Sequence, residues 1–423
     1  MSGSEPQTTG ADASALEVAR IQRRTVWVLS AGQVLGGLAF GATISLGAVL
    51  AASVSGDDAF SGLATAAVTL GTALVAVPLA ALSRHFGRRR ALATGMAIAL
   101  VGVVLVVVAV GLGSFPLLLA AFLLVGAGQA ANLQSRFAAV DLATDASRGR
   151  DLSIVVWATT IGAVLGPNLT GPGEVLGDAL RMPPLTGPYL FTVGAQVLGI
   201  LLYLIALRPD PLLTAQRVVA DRAEAKVAGA IVKPDRPITA RYAIFAVAAA
   251  HGVMVSVMAM TPVHLIHHGA DLTIVGFTLS LHILGMYLLA PVFGILSDHL
   301  GRVQTILIGQ GLLVAALLTA SFGQESTLAV TIGLVLLGLG WSASTVAGSA
   351  LLTEASSETM RTRRQGFSDF VMSIVAAAGA ILAGIVLGWI GYGGLALVVG
   401  IAVVLVVGLS PLARGPRPAA VTG

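Results

Sequence analysis

Two short patterns in the second half of the chain set soft metal ligands at helical spacing. Residues 251–286 hold four of the nine methionines and five of the seven histidines in 423 residues. Met254-Val-Ser-Val-Met258 is a Met-x-x-x-Met, and His282-Ile-Leu-Gly-Met286 is a His-x-x-x-Met. Side chains four apart stack on one face of a helix, so each pattern is a two-ligand half-site. Thioether and imidazole together suit copper, Cu(I) above all. The chain has no cysteine, hence no thiolate site and no disulfide framework. The plainer alternative is packing: methionine fills gaps in apolar cores, and a lone histidine in lipid often bonds a neighbouring helix. Two half-sites on consecutive helices, in a chain otherwise poor in both residues, weigh towards a metal.

The elements that must position these groups are membrane helices. The chain is 56% hydrophobic and 10% charged, with a mean hydropathy of +0.92. Soluble domains carry about 25% charged residues. A helix needs about 20 apolar residues to cross the hydrocarbon. Twelve stretches qualify, at 26–52, 59–82, 91–112, 115–140, 152–171, 188–207, 242–265, 272–297, 303–322, 327–352, 366–390 and 393–410. Lipid leaves backbone polar groups no partner but their own helix, so an all-α membrane protein is expected. The polar start, residues 1–24, lacks a short apolar core with a cleavage site and does not resemble a signal peptide.

Lys and Arg set the orientation. With the N-terminus inside, 23 of the 24 basic residues fall on inner segments and only Arg181 falls outside. The expectation is both termini and the central loop in the cytoplasm. The high pI, near 9.8, is then a topology signal and implies no nucleic-acid partner. Polar 208–240 separates a tail (1–24) and first bundle (25–207) from a second bundle (241–410) and tail (411–423). The halves repeat: Ser83-Arg84-His85-Phe86-Gly87-Arg88 and Ser297-Asp298-His299-Leu300-Gly301-Arg302 stand 214 residues apart. Such a six-helix repeat marks a pseudosymmetric transporter with its site between the halves.

Gly294-x-x-x-Asp298-x-x-Gly301-Arg302 resembles the loop signature of the major facilitator superfamily, and the resemblance extends over about 25–410. It implies twelve transmembrane helices in two pseudosymmetric six-helix bundles, with Gly87, Arg88, Gly294, Asp298, Gly301 and Arg302 in gating loops. The first-half copy departs from the pattern with Arg84 in place of the acidic residue and Ala80 in place of glycine. Gly162-x-x-x-Gly166-Pro167 is similar to the superfamily's antiporter motif, but small-residue packing alone explains such a pattern more often than not, and export is not read from it.

Intramembrane charge is the usual mark of function, and little is expected here. Asp151 and Asp369 are placed at inner helix ends and no carboxylate in mid-membrane, which argues against antiport of cationic drugs. Gln129 and Asn132, in the fourth span, are candidates for cavity lining or for interhelical hydrogen bonds. With the seventh span entering near Tyr242 and the eighth near Leu272, Met254 lies ~18 Å and Met258 ~24 Å from one face, and His282 ~15 Å and Met286 ~21 Å from the other. All four fall around the middle of a core about 30 Å thick. His251 shares the Met254 face, Met260 is assigned to packing, and His264, His267 and His268 at the outer end are either ordinary polar loop residues or, with His251, candidates for accessory metal capture.

The two motifs, 24 residues apart on the seventh and eighth spans, resemble those of the CcoA-type bacterial copper importers within that superfamily. The resemblance implies Met254, Met258, His282 and Met286 as copper ligands, copper as transported substrate and no other cofactor. It also implies a monomer in the bacterial inner membrane and cytoplasmic copper-accepting proteins as recipients. Related carriers take riboflavin, so an organic-solute carrier, with drug efflux behind it, is the alternative. No nucleophile–base pair or phosphate loop suggests an enzyme.

Overall fold

The computed structural model describes residues 10–56, 60–224, 235–270 and 272–413. Lys226, Lys233, Asp271, Arg414 and Arg417 lie outside the described residues. The first half runs α1 (Gly10–Ser55), α2 (Ser61–Gly111), α3 (Phe115–Ala138), α4 (Arg148–Asn168), a short α5 (Thr170–Ala179) and α6 (Tyr189–Ala206). α7 (Pro211–Glu224) opens the linker. The second half runs α8 (Pro237–His267), α9 (Leu272–Tyr287), α10 (Ala290–Leu300), α11 (Arg302–Phe322), α12 (Thr327–Ala355) and α13 (Glu358–Leu409).

Eight helical stretches among the described residues are long and apolar enough to cross a bilayer. Two of them, in α2 and α13, hold 50 and 56 residues, enough for two crossings each. Both fold back at a glycine: Gly87 at φ 85, ψ 168 in α2, and Gly391 at φ 72, ψ −179 in α13. Gly301, between α10 and α11, has φ 105, ψ 158. That region of backbone space is essentially closed to residues with a Cβ. Gly87 and Gly301 are the repeat partners, so both loop signatures encode the same turn. With α2 and α13 counted twice and α1 and α4 added, each half supplies six spans, as expected.

Two expectations are corrected. The eighth span is not one continuous helix: it breaks at Leu288 and Leu289, directly after Met286 and Tyr287. Pro291 has no N–H to return to the Tyr287 carbonyl, so the helical ladder is interrupted there. Asp369 is not at a helix end. α13 begins at Glu358, because Arg361 and Arg364 are helical rather than loop, and Asp369 is its twelfth residue, fully buried. Arg136, counted with the cations of the inner segments, sits in the last turn of α3 and is 3% exposed.

The halves meet through apolar side chains at the arginine-rich end. Val140, Leu152 and Val156 of the first half cluster with Ala290 and Val346 of the second. Phe137 is buried in a second-half cluster with Ala243, Ile306 and Leu351. Gly149 and Gly294 touch backbone to backbone, since a Cβ on Gly149 would lie 2.5 Å from the Gly294 oxygen.

A side chain at Gly87 would add a steric fault to the strained dihedral, at 2.3 Å from the Asp210 carboxylate. Gly87→Ala is therefore expected to cost about 1–3 kcal/mol from backbone strain alone, and more than Gly391→Ala, where nothing lies within 4 Å. Thermal unfolding in detergent, followed by tryptophan fluorescence, measures both.

Candidate functional site

In the second half, Met254 and Met286 are 2% and 7% exposed in one apolar cluster, against which Met258 and Met260 also pack. His282 is fully buried beside it. Its Nδ1 lies 2.7 Å from the Leu334 carbonyl of α12. A carbonyl only accepts, so Nδ1 carries the proton and Nε2 keeps its lone pair. That Nε2 is buried with no hydrogen-bond partner. Metal-ligating histidines are held in this way, one nitrogen donating to a carbonyl and the other left to coordinate. The α9–α12 contact that sets the ring is close, because a Cβ on Gly338 would lie 2.5 Å from the His282 oxygen. Among the described residues no three His, Asp or Glu side chains converge on a metal position, so a metal site here needs the thioethers.

The other histidines separate by environment. His251 accepts at Nδ1 from Trp341 Nε1 at 2.8 Å, and Tyr287 meets the same indole edge-on at 5.7 Å between centroids. His264 is buried, not at a surface: it stacks on Tyr392 at 4.2 Å and its Nε2 donates to the Gln324 carbonyl at 2.8 Å. Tyr392 in turn shares a 2.9 Å hydroxyl bond with Thr261. His268 is exposed, donates from Nδ1 to the His264 carbonyl at 2.9 Å and stands 3.5 Å from Glu325. The His267 side chain lies outside the described residues.

In the first half, Gln129 and Asn132 line a narrow cleft with Gln196, Met96 and Phe40. Gln33 donates to the Asn132 carbonyl oxygen at 2.6 Å and accepts from Thr159 at 3.0 Å. The bond from Gln33 uses the Asn132 backbone, and both side chains of the pair border the cleft.

The densest electrostatics lie at the arginine-rich end, across the junction of the halves. Asp298 accepts from the backbone N–H groups of Gly149 and Arg150 at 2.9 and 2.8 Å, the N-terminus of α4. A carboxylate there meets the positive end of the helix dipole. Arg302 holds Asp298 at 2.5 Å and donates to the Asp145 carbonyl of the other half at 2.7 Å. Arg84 has no such carboxylate to offer, yet the first-half loop crosses the junction by another residue. Arg88, fully buried, pairs with Asp141 at 2.8 Å and donates to Gln365 of α13 at 2.6 Å. Burial pushes the Asp141 carboxyl above its ordinary range, against the pull of Arg88. One helical turn beyond Gln365, Asp369 accepts from Arg136 of α3 at 2.5 Å.

This architecture coincides with a known family. The Major Facilitator Superfamily profile matches residues 29–271 and 243–422. The chain belongs to the major facilitator superfamily. It is 36% identical over 402 residues, covering 93% of each chain, to the "Uncharacterized MFS-type transporter YdeG" of Bacillus subtilis. It is 29% identical to the "Riboflavin transporter RfnT" of Brucella anthropi, over 87% of this chain and 90% of that one. Among solved structures it is similar in fold to the human organic anion transporter MFSD10, with a TM-score of 0.74 at 19% identity, covering 93% and 99% of the two chains. This superfamily member is thus a multi-pass membrane transporter.

The Arg136–Asp369 pair and the His251–Trp341–Tyr287 group escaped sequence reasoning. One signal was present: Gln365 and Asp369 stand at a four-residue spacing, on one face of a helix. Asp298→Asn removes the charge that two backbone N–H groups and Arg302 share. A loss of about 1.5–3 kcal/mol is expected, the scale of one hydrogen bond to a charged group. A thermal melt should show it, together with faster labelling of a cysteine placed at Ser153 beneath the contact.

Proposed function

We propose that this chain is a secondary transporter that carries copper across the bilayer by alternating access, with Met254, Met258, His282 and Met286 as ligands. The observation that carries the reading is His282, whose Nε2 is buried without a partner while Nδ1 is committed to Leu334. An unpaired polar atom at this depth is costly unless a ligand takes it, and the nearby apolar cluster supplies three thioethers. The break between α9 and α10 immediately after Met286 adds support, since transporter sites favour interrupted helices near mid-membrane.

On this reading the arginine-rich end faces the cytoplasm of a bacterial inner membrane, as do both termini. The junction at that end is closed in this conformation, so the site is reached from outside. Copper enters past the outer end of α8, where His267 and His268 stand, and binds at the four ligands. Parting of the inner junction then releases it to cytoplasmic copper-accepting proteins. Neutral methionines bind without losing a proton, so release requires only the change in access. A single chain suffices, and copper is cargo, with no resident cofactor. Import as the direction follows from the resemblance to the CcoA-type carriers.

A second reading, an organic-solute carrier with riboflavin first, is favoured by the RfnT relative. The Trp341, Tyr287 and His251 rings suit a planar cargo. Radioactive copper uptake separates the two. Cells carrying the protein should take up more than cells lacking it, and replacing all four ligands by Ala should return uptake to that background. Riboflavin uptake that survives those four replacements, with copper uptake unchanged throughout, would establish the second reading instead.

A further inference from the structure

A cavity of about 830 Å³ opens at the arginine-rich end, and none of the four candidate copper ligands lines it. Its wall is built by Gln22 and Trp27 of α1, the 141–148 stretch leading into α4, Val218 of the linker helix α7, and Arg361 of α13. Both halves and the linker therefore meet around it. A volume in this range accommodates a small organic molecule. Three side chains in the wall are more than nine-tenths buried, Arg148 at 4%, Arg361 at 5% and Gln22 at 7% exposed. Each keeps a polar atom without a hydrogen-bond partner, Nε of the two arginines and Oε1 of the glutamine. Leaving a buried polar group unpaired is costly, the more so when it is charged.

The charges decide what kind of molecule satisfies these atoms. In the wall, Arg148 pairs with Asp145, Arg150 with Asp151 and Arg361 with Glu358. The remaining carboxylate of the wall, Asp141, is held by Arg88, which is not part of it. Arg23, exposed at the rim, forms no ion pair among the described residues. The wall thus carries one positive charge in surplus. Arg361 also acts on Arg148 as a like charge. The carboxylates engage terminal guanidinium nitrogens and leave the two Nε–H groups, which only donate, to an acceptor from outside the chain. Gln22 needs the opposite. Its Nε2 is spent on the Ala139 carbonyl and Asp151, and its Oε1 only accepts. Beside these atoms, Val26, Trp27, Ile154 and Val219 give the cavity an apolar side.

We propose that this cavity binds a phosphodiester monoanion that carries a hydroxyl group. Its phosphate oxygens accept from Arg148 and Arg361, whose guanidinium groups suit them. Its single negative charge balances Arg23, and its hydroxyl donates to Gln22. The apolar side takes the carbon chain next to the phosphate. Glycerol-linked phospholipid headgroups have this chemistry, and so do the free glycerophosphodiesters without acyl chains. The residues that bind it come from both halves, so the occupant fastens α13 to α1 and α4 at the end where the junction is closed. The site is separate from the copper ligands, and the proposal is independent of the cargo.

Native mass spectrometry of the delipidated full chain, titrated with phosphatidylglycerol, phosphatidylcholine or glycerophosphoglycerol, measures the affinity for each. Phosphatidylcholine has the phosphate but neither the net charge nor the hydroxyl. Wild type should bind phosphatidylglycerol or glycerophosphoglycerol more tightly than phosphatidylcholine by about tenfold or more, the worth of one charge-assisted hydrogen bond. Tight binding of glycerophosphoglycerol by itself assigns the site to the free diester, and tight binding of phosphatidylglycerol alone assigns it to the lipid; either supports the proposal. Arg148→Lys and Arg361→Lys keep the charge but remove the Nε–H, and each should weaken binding about tenfold. Val218→Trp fills the cavity without touching a polar group and should abolish it. A thermal melt checks that each variant is folded. Where a buried substitution fails that check, Arg23→Gln at the exposed rim still decides, because loss of the surplus charge should weaken binding several-fold. Equal affinity of wild type for phosphatidylglycerol and phosphatidylcholine, with no binding of the free diester, would overturn the proposal. So would affinities unchanged in the folded variants, or wild type that binds none of the three.

Discussion

A buried carboxylate must find a cation, and in this molecule it finds one on the other half of the chain. That constraint governs the closed junction. Arg136 reaches across to Asp369, Arg88 to Gln365, and Arg302 to the Asp145 carbonyl. Breaking a buried pair by removing one partner costs about 3–5 kcal/mol. Moving a two-state equilibrium from 1:99 to 99:1 takes about 5.5 kcal/mol. A single rung of this ladder is therefore comparable to the whole bias between open and closed. The apolar contacts around Val140, Leu152 and Val346 seal the same face, but dispersion contacts alone have no equivalent switch.

The candidate cargo site lies in one half, on α8 and α9, and the junction joins both. What connects them is a short run of aromatic and polar groups. His251 is one turn from Met254 on α8 and bonds Trp341. Tyr287 follows Met286 and packs on the same indole. Arg136 lies within electrostatic range of both. The α9–α10 break falls at this place, so α9, with His282 and Met286, is not rigidly continuous with α10. α10 carries Gly294 and Asp298 into the junction. Occupancy at the ligands and closure at the arginines thus act on neighbouring pieces of one broken span.

Much of this was legible in the residues. Long apolar runs define helices in lipid because backbone groups have no other partner, and the twelve spans follow. The 214-residue repeat located Gly87 and Gly301, and both adopt the positive φ that their turn requires. The methionines and His282 stood out by type and helical spacing, and Met254, Met286 and His282 are buried. The failures share a cause. Asp369 was assigned to a helix end because charge marks the edge of a span, whereas a buried pair of opposite charges can lie inside one. Arg361 and Arg364 looked like loop for the same reason, and so hid about two turns of α13. The break after Tyr287 depended on Pro291, which local composition did not distinguish from the prolines tolerated within α2 and α8. His264 gave no sign of its Tyr392 stack, since that partner is more than a hundred residues away.

The central question is whether His282, with its buried and unpartnered Nε2, binds copper together with Met254, Met258 and Met286. The most direct measurement is the copper content of the purified protein after incubation with Cu(I) and removal of the excess. Wild type should retain stoichiometric copper, and a Met254→Leu/His282→Phe variant that is equally folded by thermal melt should retain none. Equal retention by both would place the metal elsewhere, and no retention by either would contradict a copper site in this transporter.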